Sequence, residues 1–517
     1  MQLRTRVILF VIALSVLAPL VPGQATWPFG GSRRSSGAES SELDLWNLGL
    51  LGAKAKEPGA TVARGGTTGR RRVERSGEQA TNDNGPPQLE IVLLFPGGPA
   101  AKAGLLPGDV ISGVNGKAFV AGSLNPLALA LMAAEAADKG AVVLEVQRKG
   151  AKGPEKLSLR VPLRSLGNDA LHPELGAARK AIQKNALQWL ADHQGGDGGF
   201  PETLSGRNGS VVQAALAGLA WLAASDDPAK SAWTSSIDKA KGFALRYALS
   251  PDEMPIASGA NWDQTNWGLV HSVLFLSELA ARKRGAVPKV ELERLVQAVQ
   301  TRMEKSGGYA HGPGGKNALD YLELNIVGSL VLSALGSARG AGVAVDLTKA
   351  RLLFDYCEAS ASAEGGVGYS TAAGQKGEGN IGRSAAALLG ARNLGFDKLP
   401  FGAKLDSYVR AHAAEVMGGH ASLMQHILLS GVAAEALGGE ARSAWWVRAQ
   451  RDLVLARAPD GSLQPRPWHE SLQMGSNSDV SVGEVWTTAC WAIVLGADPA
   501  QSRGVGLPLW CGRAPKK

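Results

Sequence analysis

A short glycine-led phrase followed by an almost wholly apolar stretch recurs six times between Gly198 and the C-terminus, and this constrains the fold of two thirds of the chain. The phrases read Gly198-Gly199-Phe200, Ser258-Gly259-Ala260-Asn261-Trp262, Gly307-Gly308-Tyr309, Gly365-Gly366-Val367-Gly368-Tyr369, Gly418-Gly419-His420 and Gly461-Ser462-Leu463. Their first residues stand 60, 49, 58, 53 and 43 positions apart, too irregular for a strict solenoid but suited to helical hairpins with variable loops. Upstream runs such as Glu291 to Ser306 and Ala441 to Ala458 place charged and apolar residues at three- and four-residue spacing, which predicts outer helices with one wet face. Downstream runs are apolar nearly all round: Val211 to Ala223, Ile326 to Leu335, Ala385 to Leu389, Ile427 to Leu437 and Val485 to Leu495. These are the expected inner helices. Each glycine pair is expected to end an outer helix with a left-handed cap, because glycine accepts positive φ without a Cβ clash.

A different module precedes this array. From Ile91 to Ile111 the chain alternates strand, Gly/Pro turn, one helical turn, Gly-Asp turn and strand, and Asn115-Gly116 supplies a hairpin turn. A helix from Leu127 to Ala137 and a strand from Val142 to Arg148 are expected to follow. The phrase Pro99-Ala100-Ala101-Lys102-Ala103-Gly104-Leu105-Leu106-Pro107-Gly108-Asp109-Val110-Ile111, with its Asn-Gly turn, resembles a PDZ domain of the bacterial type. The resemblance implies an extended peptide, usually a protein C-terminus, added as a strand to an open sheet edge. The glycine loop of that family belongs just before the first strand, yet the residues before Ile91 are Asn82-Asp83-Asn84-Gly85-Pro86-Pro87. The apolar segment Leu45 to Gly52 lies some forty residues earlier. Either it supplies the missing edge across an insertion at 54–86, placing Leu48, Gly49 and Leu50 beside a groove with Ile91, Val92 and Leu93, or it closes the sheet and leaves the groove vestigial.

The six hairpins and the turn Asn261-Trp262-Asp263-Gln264 resemble the (α/α)6 toroid shared by squalene cyclases, protein prenyltransferases and complement-type thioester domains. A PDZ-like module ahead of such a toroid is similar to a bacterial family of exported proteins. The chemistry of those relatives is missing from the chain: no Asp-x-Asp-Asp acid, no clear Asp/Cys/His zinc set and no Cys-Gly-Glu-Gln thioester phrase. Nor is there a Gly-x-Ser-Gly-Gly elbow, a phosphate loop or a His-Glu-x-x-His. No metal and no cofactor are therefore expected.

What remains is a polar set at the starts of the inner helices, where free backbone amides gather. Trp262, Asn266, Tyr309, Asn325, His469 and Trp486 are candidate cavity residues, able to stack on or hydrogen-bond a sugar or peptide. Arg383, His420 and Tyr369 are the candidates for chemistry, with a histidine or tyrosine as base and Arg383 neutralising a carboxylate. Two functions follow: a noncatalytic protein binding peptide or polymer partners, or a polysaccharide lyase or hydrolase using the toroid cavity.

The ends of the chain carry their own signals. Arg4 and Arg6, the apolar run Val7 to Leu20 and the small residues ending at Ala25 read as an export signal over 1–25. The run is too short for a stable membrane span, so the mature protein is expected in the periplasm or outside the cell. A flexible linker at 26–42, a PDZ-like domain at 43–165, the toroid at 170–510 and a tail at 511–517 complete the expected order. The net charge of +8 resides largely in Arg33, Arg34, Arg64, Arg70, Arg71, Arg72 and Arg75, within Gly/Ser/Thr-rich sequence without a recognition motif, which argues against nucleic acid as a partner. Three cysteines provide no disulfide framework, leaving either a Cys490–Cys511 pair or three separate thiols.

Overall fold

The computed structural model describes residues 45–58, 85–120, 122–201, 206–225, 227–249, 264–282, 286–313, 323–419, 422–467, 479 and 482–497. The segments expected to be signal, linker and tail, and most of the insertion, lie outside them, as do Trp262, His420, His469 and Cys511.

An antiparallel sheet comes first. Its strands are β1 (Trp46–Asn47), β2 (Ala53–Lys56), β3 (Leu89–Leu94), β4 (Val110–Val114), β5 (Lys117–Ala118), β6 (Ala141–Gly150) and β7 (Gly153–Pro162), with α1 (Pro99–Lys102) and α2 (Leu124–Ala136) between them. The order is β1-β2-β3-β4-β6-β7, with β5 paired to β4. Alternation sets its inner face: Val142, Leu144 and Val146 of β6 point inward with Leu89 and Ile91 of β3 onto Leu127 and Leu131 of α2. Asn115 and Gly116 both take positive φ, the backbone twist of a two-residue hairpin between β4 and β5. Asp109 is buried and holds the module's far side: its carboxylate accepts from Arg148 Nε at 2.8 Å, Arg148 Nη2 at 2.6 Å and the Leu106 amide at 2.8 Å.

Helices follow in two alternating kinds. One kind is half exposed: α3 (Gly176–His193), α5 (Thr234–Tyr247), α7 (Lys289–Thr301), α9 (Leu347–Ser360), α11 (Pro400–Ala411) and α13 (Gly439–Ala456). The other kind is buried along nearly its whole length: α4 (Gly206–Ala223), α6 (Thr265–Arg282), α8 (Asn325–Gly340), α10 (Ile381–Leu394), α12 (Leu423–Leu437) and α14 (Glu484–Gly496). The apolar runs of the sequence all fall in the second kind, because a helix apolar on every face is stable only where other helices cover it. Neighbours in the buried set pack in chain order, α4 on α6, α6 on α8, α8 on α10, α10 on α12 and α12 on α14, and α14 packs back on α4.

The glycine phrases play a part different from the expected helix cap. The half-exposed helices end at His193, Thr301, Ser360 and Ala456, before their phrases begin. Gly198, Gly307, Gly365 and Gly461, all with φ between 91° and 97°, instead close four-residue turns further on. In each turn the glycine N–H donates to the carbonyl three residues back, and that residue's own N–H donates to the carbonyl after the glycine, as in Gly198 to Gly195 and Gly195 to Gly199. This is a bulged turn, for which positive φ is obligatory. Each glycine also lies against the backbone of another half-exposed helix: Gly198 on Lys239 of α5, Gly307 on Leu352 of α9, Gly365 on Lys404 of α11, and Gly461 on Asn185 of α3. Gly418, in the fifth phrase, has no positive φ.

Candidate functional site

Two places on the chain combine polar chemistry with a defined shape. The first is the edge of the sheet at β2. β2 pairs with β3 on one side and with β1 on the other, Trp46 opposite Ala55 and Asn47 opposite Lys54. Between them Gly49 to Leu51 form a single 3-10 turn whose ends need left-handed backbone, φ 63° at Gly49 and 69° at Gly52. Leu48 donates its amide to Ala53 O at 3.0 Å and is fully buried in the sheet's core. Leu50 stands next to it, partly buried against the same core. Ile91, Val92 and Leu93 lie in β3, two strands inward from the β1 edge, where β2 already covers them. A strand added in the place of β1 would therefore meet Ala53–Lys56, not Ile91–Leu93, because β2 lies between them.

The helical region seals this edge. Val454 and Leu455 of α13 join the apolar core of the sheet module. A Cβ on Gly49 would stand 2.7 Å from Val454 O and 3.1 Å from Leu131 Cδ1. Asn47 is buried, and its Nδ2 donates to Leu455 O at 2.5 Å and to Arg457 O at 3.0 Å. Arg457 in turn pairs with Glu135 of α2. The Arg466 guanidinium lies 5.1 Å from the Trp46 ring centre. Sequence reading missed Asn47 because nothing in Trp46-Asn47-Leu48 marks the asparagine as a cap for a helix four hundred residues away.

The second place is the set of starts of the buried helices. Here the predicted residues separate into two roles. Asn266 and Asn325 are buried, and their amides donate to carbonyls of the following hairpin: Asn266 Nδ2 to Ala310 O at 2.9 Å, Asn325 Nδ2 to Gly368 O at 3.0 Å. Asn380 repeats the bond to Gly418 O at 2.6 Å. These are staples between consecutive hairpins. Tyr309 is buried with its hydroxyl on Val299 O at 3.1 Å, and burial raises its pKa above the ordinary phenol range, which removes it as a base near neutrality. Arg383 and Tyr369 do meet, the guanidinium 5.6 Å from the ring centre. Arg383 is nonetheless buried, with Nε on Val367 O and Nη2 on Glu378 O, both at 3.1 Å, and burial pulls its pKa down to about 10. Two of its five N–H donors are spent on backbone carbonyls inside the fold.

Trp486 organises the remaining polar groups. Its indole donates to Asp479 Oδ1 at 2.9 Å; that carboxylate also accepts from Ser422 Oγ at 2.5 Å and the Met424 amide at 3.0 Å, tying α14 to the start of α12. Burial holds the Asp479 carboxyl above the usual carboxylate range in spite of these bonds. The ring of His271 packs edge-on to Trp486, with centres 6.1 Å apart. His271 Nδ1 bonds to Trp267 O at 2.8 Å, and the Trp267 indole donates to His311 Nδ1 at 2.8 Å. Neither Asp479 nor Trp267 belongs to a motif, and only their convergence in space marks them; His311 stands two residues after the Gly307-Gly308-Tyr309 phrase, within the polar set the sequence offers. Cys357 and Cys490 are free, buried thiols; burial pushes Cys357 up to about 12 and Cys490 well above its usual value, so neither is a thiolate nucleophile at neutral pH. Among the described residues no three His, Cys, Asp or Glu side chains gather to hold a metal.

Acid should expose His271. Burial lowers its pKa to about 4, against about 6.5 in an unfolded chain. The unfolded state thus binds more protons between those values, so the contribution of His271 is complete above pH 6.5 and is lost as pH falls toward 4, by about 3 kcal/mol. Asp479, with its raised pKa, works in the opposite direction, so the histidine is isolated by comparison. His271→Gln is expected to reduce the stability difference between pH 7 and pH 4.5 in urea titrations, and an unchanged difference would show that the imidazole is protonated as readily folded as unfolded.

Comparison with known proteins adds one assignment. Residues 92–148 match the PDZ domain family, and the chain contains a PDZ domain there. No curated protein matches the chain. Among solved structures, a wild-type glycosidase is 15% identical with a TM-score of 0.39, and a glycosidase variant in complex with glucose is 15% identical with a TM-score of 0.38. Each alignment covers 62% of this chain and 98% of the other. No helix among the described residues is long and apolar enough to cross a membrane.

Proposed function

We propose that the chain is an exported, noncatalytic binding protein of the periplasm or cell exterior, whose PDZ domain takes the C-terminal end of a protein as an added strand. The observation that carries this reading is the PDZ match together with the glycine turn Gly49–Gly52 at the head of β2, which supplies the loop missing before β3. The six helical hairpins form its scaffold and close as an (α/α)6 toroid of the cyclase and prenyltransferase type. Two contacts support closure: α14 lies on α4, and the last glycine turn lies on α3, so both the buried and the half-exposed helices return to their first members. The toroid cavity is the place for a polymer partner such as a polysaccharide. A lyase or hydrolase acting there gains little from Arg383, whose guanidinium is anchored on two carbonyls.

A thermal-shift screen of the mature protein against C-terminal peptides, polysaccharides and uronic-acid oligomers tests the reading. A ligand at 100 times its Kd stabilises by about 2.7 kcal/mol, a readable shift. The expected result is a peptide shift retained in Arg383→Ala. A shift with uronic-acid oligomers alone, abolished in Arg383→Ala, would overturn the binding reading in favour of a polysaccharide-active enzyme.

A further inference from the structure

We infer that residues 45–48 are a ligand held in cis: they occupy the groove of the PDZ domain, keep it closed, and display the kind of chain end that the groove accepts from a partner. The inference rests on the peptide-binding reading above and concerns its regulation and specificity. A peptide added to β2 must run antiparallel to it and end at the turn where backbone amides converge. β1 does both. It pairs antiparallel with Lys54 and Ala55, and Leu48 then gives its amide to Ala53 O just before the turn. The Leu48 side chain is fully buried in the PDZ core among residues that include Leu131 of α2, as the last side chain of an added strand would be. Where a free carboxylate would stand, the chain continues into Gly49.

The occupant is also latched. Asn47 alternates in direction with Leu48 along the strand and bonds to the two carbonyls at the end of α13, Leu455 O and Arg457 O. Trp46 stacks beside Arg466 from the turn after α13. These contacts fasten β1 to the helical region, so a partner has to displace β1 from both β2 and α13. The groove's preference follows from what it already holds: a buried leucine at the last position, an amide-bearing residue before it, and an aromatic residue third from the end. A protein terminating in Trp-Asn-Leu, or in residues of that chemistry, is the class of partner implied. Only the fraction of molecules with β1 released can bind, which weakens the apparent affinity by that fraction.

The probe is a fluorescent hexapeptide copying residues 43–48, Leu-Asp-Leu-Trp-Asn-Leu, with a free carboxylate, titrated by polarisation into the full chain. Hydrogen exchange at Ala53–Lys56 is followed in parallel. Asn47→Ala removes both bonds to α13 and is expected to bind the peptide at least tenfold more tightly than the wild type, with faster exchange in β2. Trp46→Ala, which leaves Asn47 in place, should act in the same direction and serves if Asn47→Ala does not fold. Equal peptide affinity in wild type and variants would overturn the occupied-groove inference and leave the binding reading standing. Accelerated exchange in a variant that still ignores the peptide would overturn the binding reading, and this proposal with it.

Discussion

Arg179→Ala is expected to destabilise the protein by about 3 kcal/mol, because it removes a buried ion-pair partner of Glu435 and leaves the carbonyls of Val494 and Leu495 without that donor. Arg179 lies fully buried at the start of the helical region and reaches its far end: Nε donates to Leu495 O at 2.5 Å, Nη2 to Val494 O at 2.7 Å, and Nη1 to Glu435 Oε1 at 2.8 Å. Glu435 is equally buried and accepts from Arg442 Nε at 2.7 Å and from the Trp446 indole at 2.7 Å. One guanidinium thus joins α3 to α12 and α14 and satisfies the last carbonyls of α14, where a helix end needs donors and its dipole favours a cation. Denaturant unfolding followed by tryptophan fluorescence measures the loss directly. Arg179→Met, which fills much of the same volume without a charge, still leaves Glu435 with only Arg442 as a cationic partner and should recover only part of the stability. A loss below about 1 kcal/mol for Arg179→Ala would mean that α3 and α14 are held together by apolar packing alone.

The other large effect is expected of Gly198→Ala, at about 3 kcal/mol or more. Its φ of 96° is a conformation that side chains rarely adopt, costing about 1–3 kcal/mol. A Cβ there would stand 2.0 Å from Lys239 O of α5, and overpacking against backbone adds about 1–3 kcal/mol. The turn has little freedom to move away, since Gln194 Nε2 binds both Gly198 O and Ser236 O, at 3.2 and 3.0 Å. Gly196→Ala, two residues earlier, is the matched control: it has no positive φ and open space around its Cα, so it should be neutral or stabilise by about 0.4–1 kcal/mol. The two variants must separate in the same urea titration; if they melt together, the bulged turn is not what sets the spacing between α3 and α5.

Helix identity and burial were legible in the sequence because they depend on local periodicity. Val211 to Ala223 and Val485 to Leu495 have no polar face to give to water, and so each had to become a buried helix. The sheet module was legible for a related reason: Gly108-Asp109 and Asn115-Gly116 dictate turns over two to four residues. The candidate site was less so. Asn266 and Asn325 look like ligand-facing amides in sequence, but they staple one hairpin to the next, and the acceptors that claim them lie more than forty residues further on. Arg383 and Tyr369 lie together, yet the two carbonyls that anchor the guanidinium are backbone atoms, which carry no sequence signature.

The sequence by itself therefore determined which segments are apolar helices that must be buried and that Ile91 to Arg148 alternate strands, turns and a helix, because propensity, turn chemistry and apolar periodicity act over one to four residues; that this stretch is a PDZ domain came from its resemblance to that family, which matches at 92–148. Tertiary structure alone decided that β1 covers the edge of β2, that Asn47 is latched to α13 and that Arg179 reaches Glu435. Those are choices among many polar partners of similar strength, settled by which groups packing brings within 3 Å and shields from water. No local pattern encodes that distance.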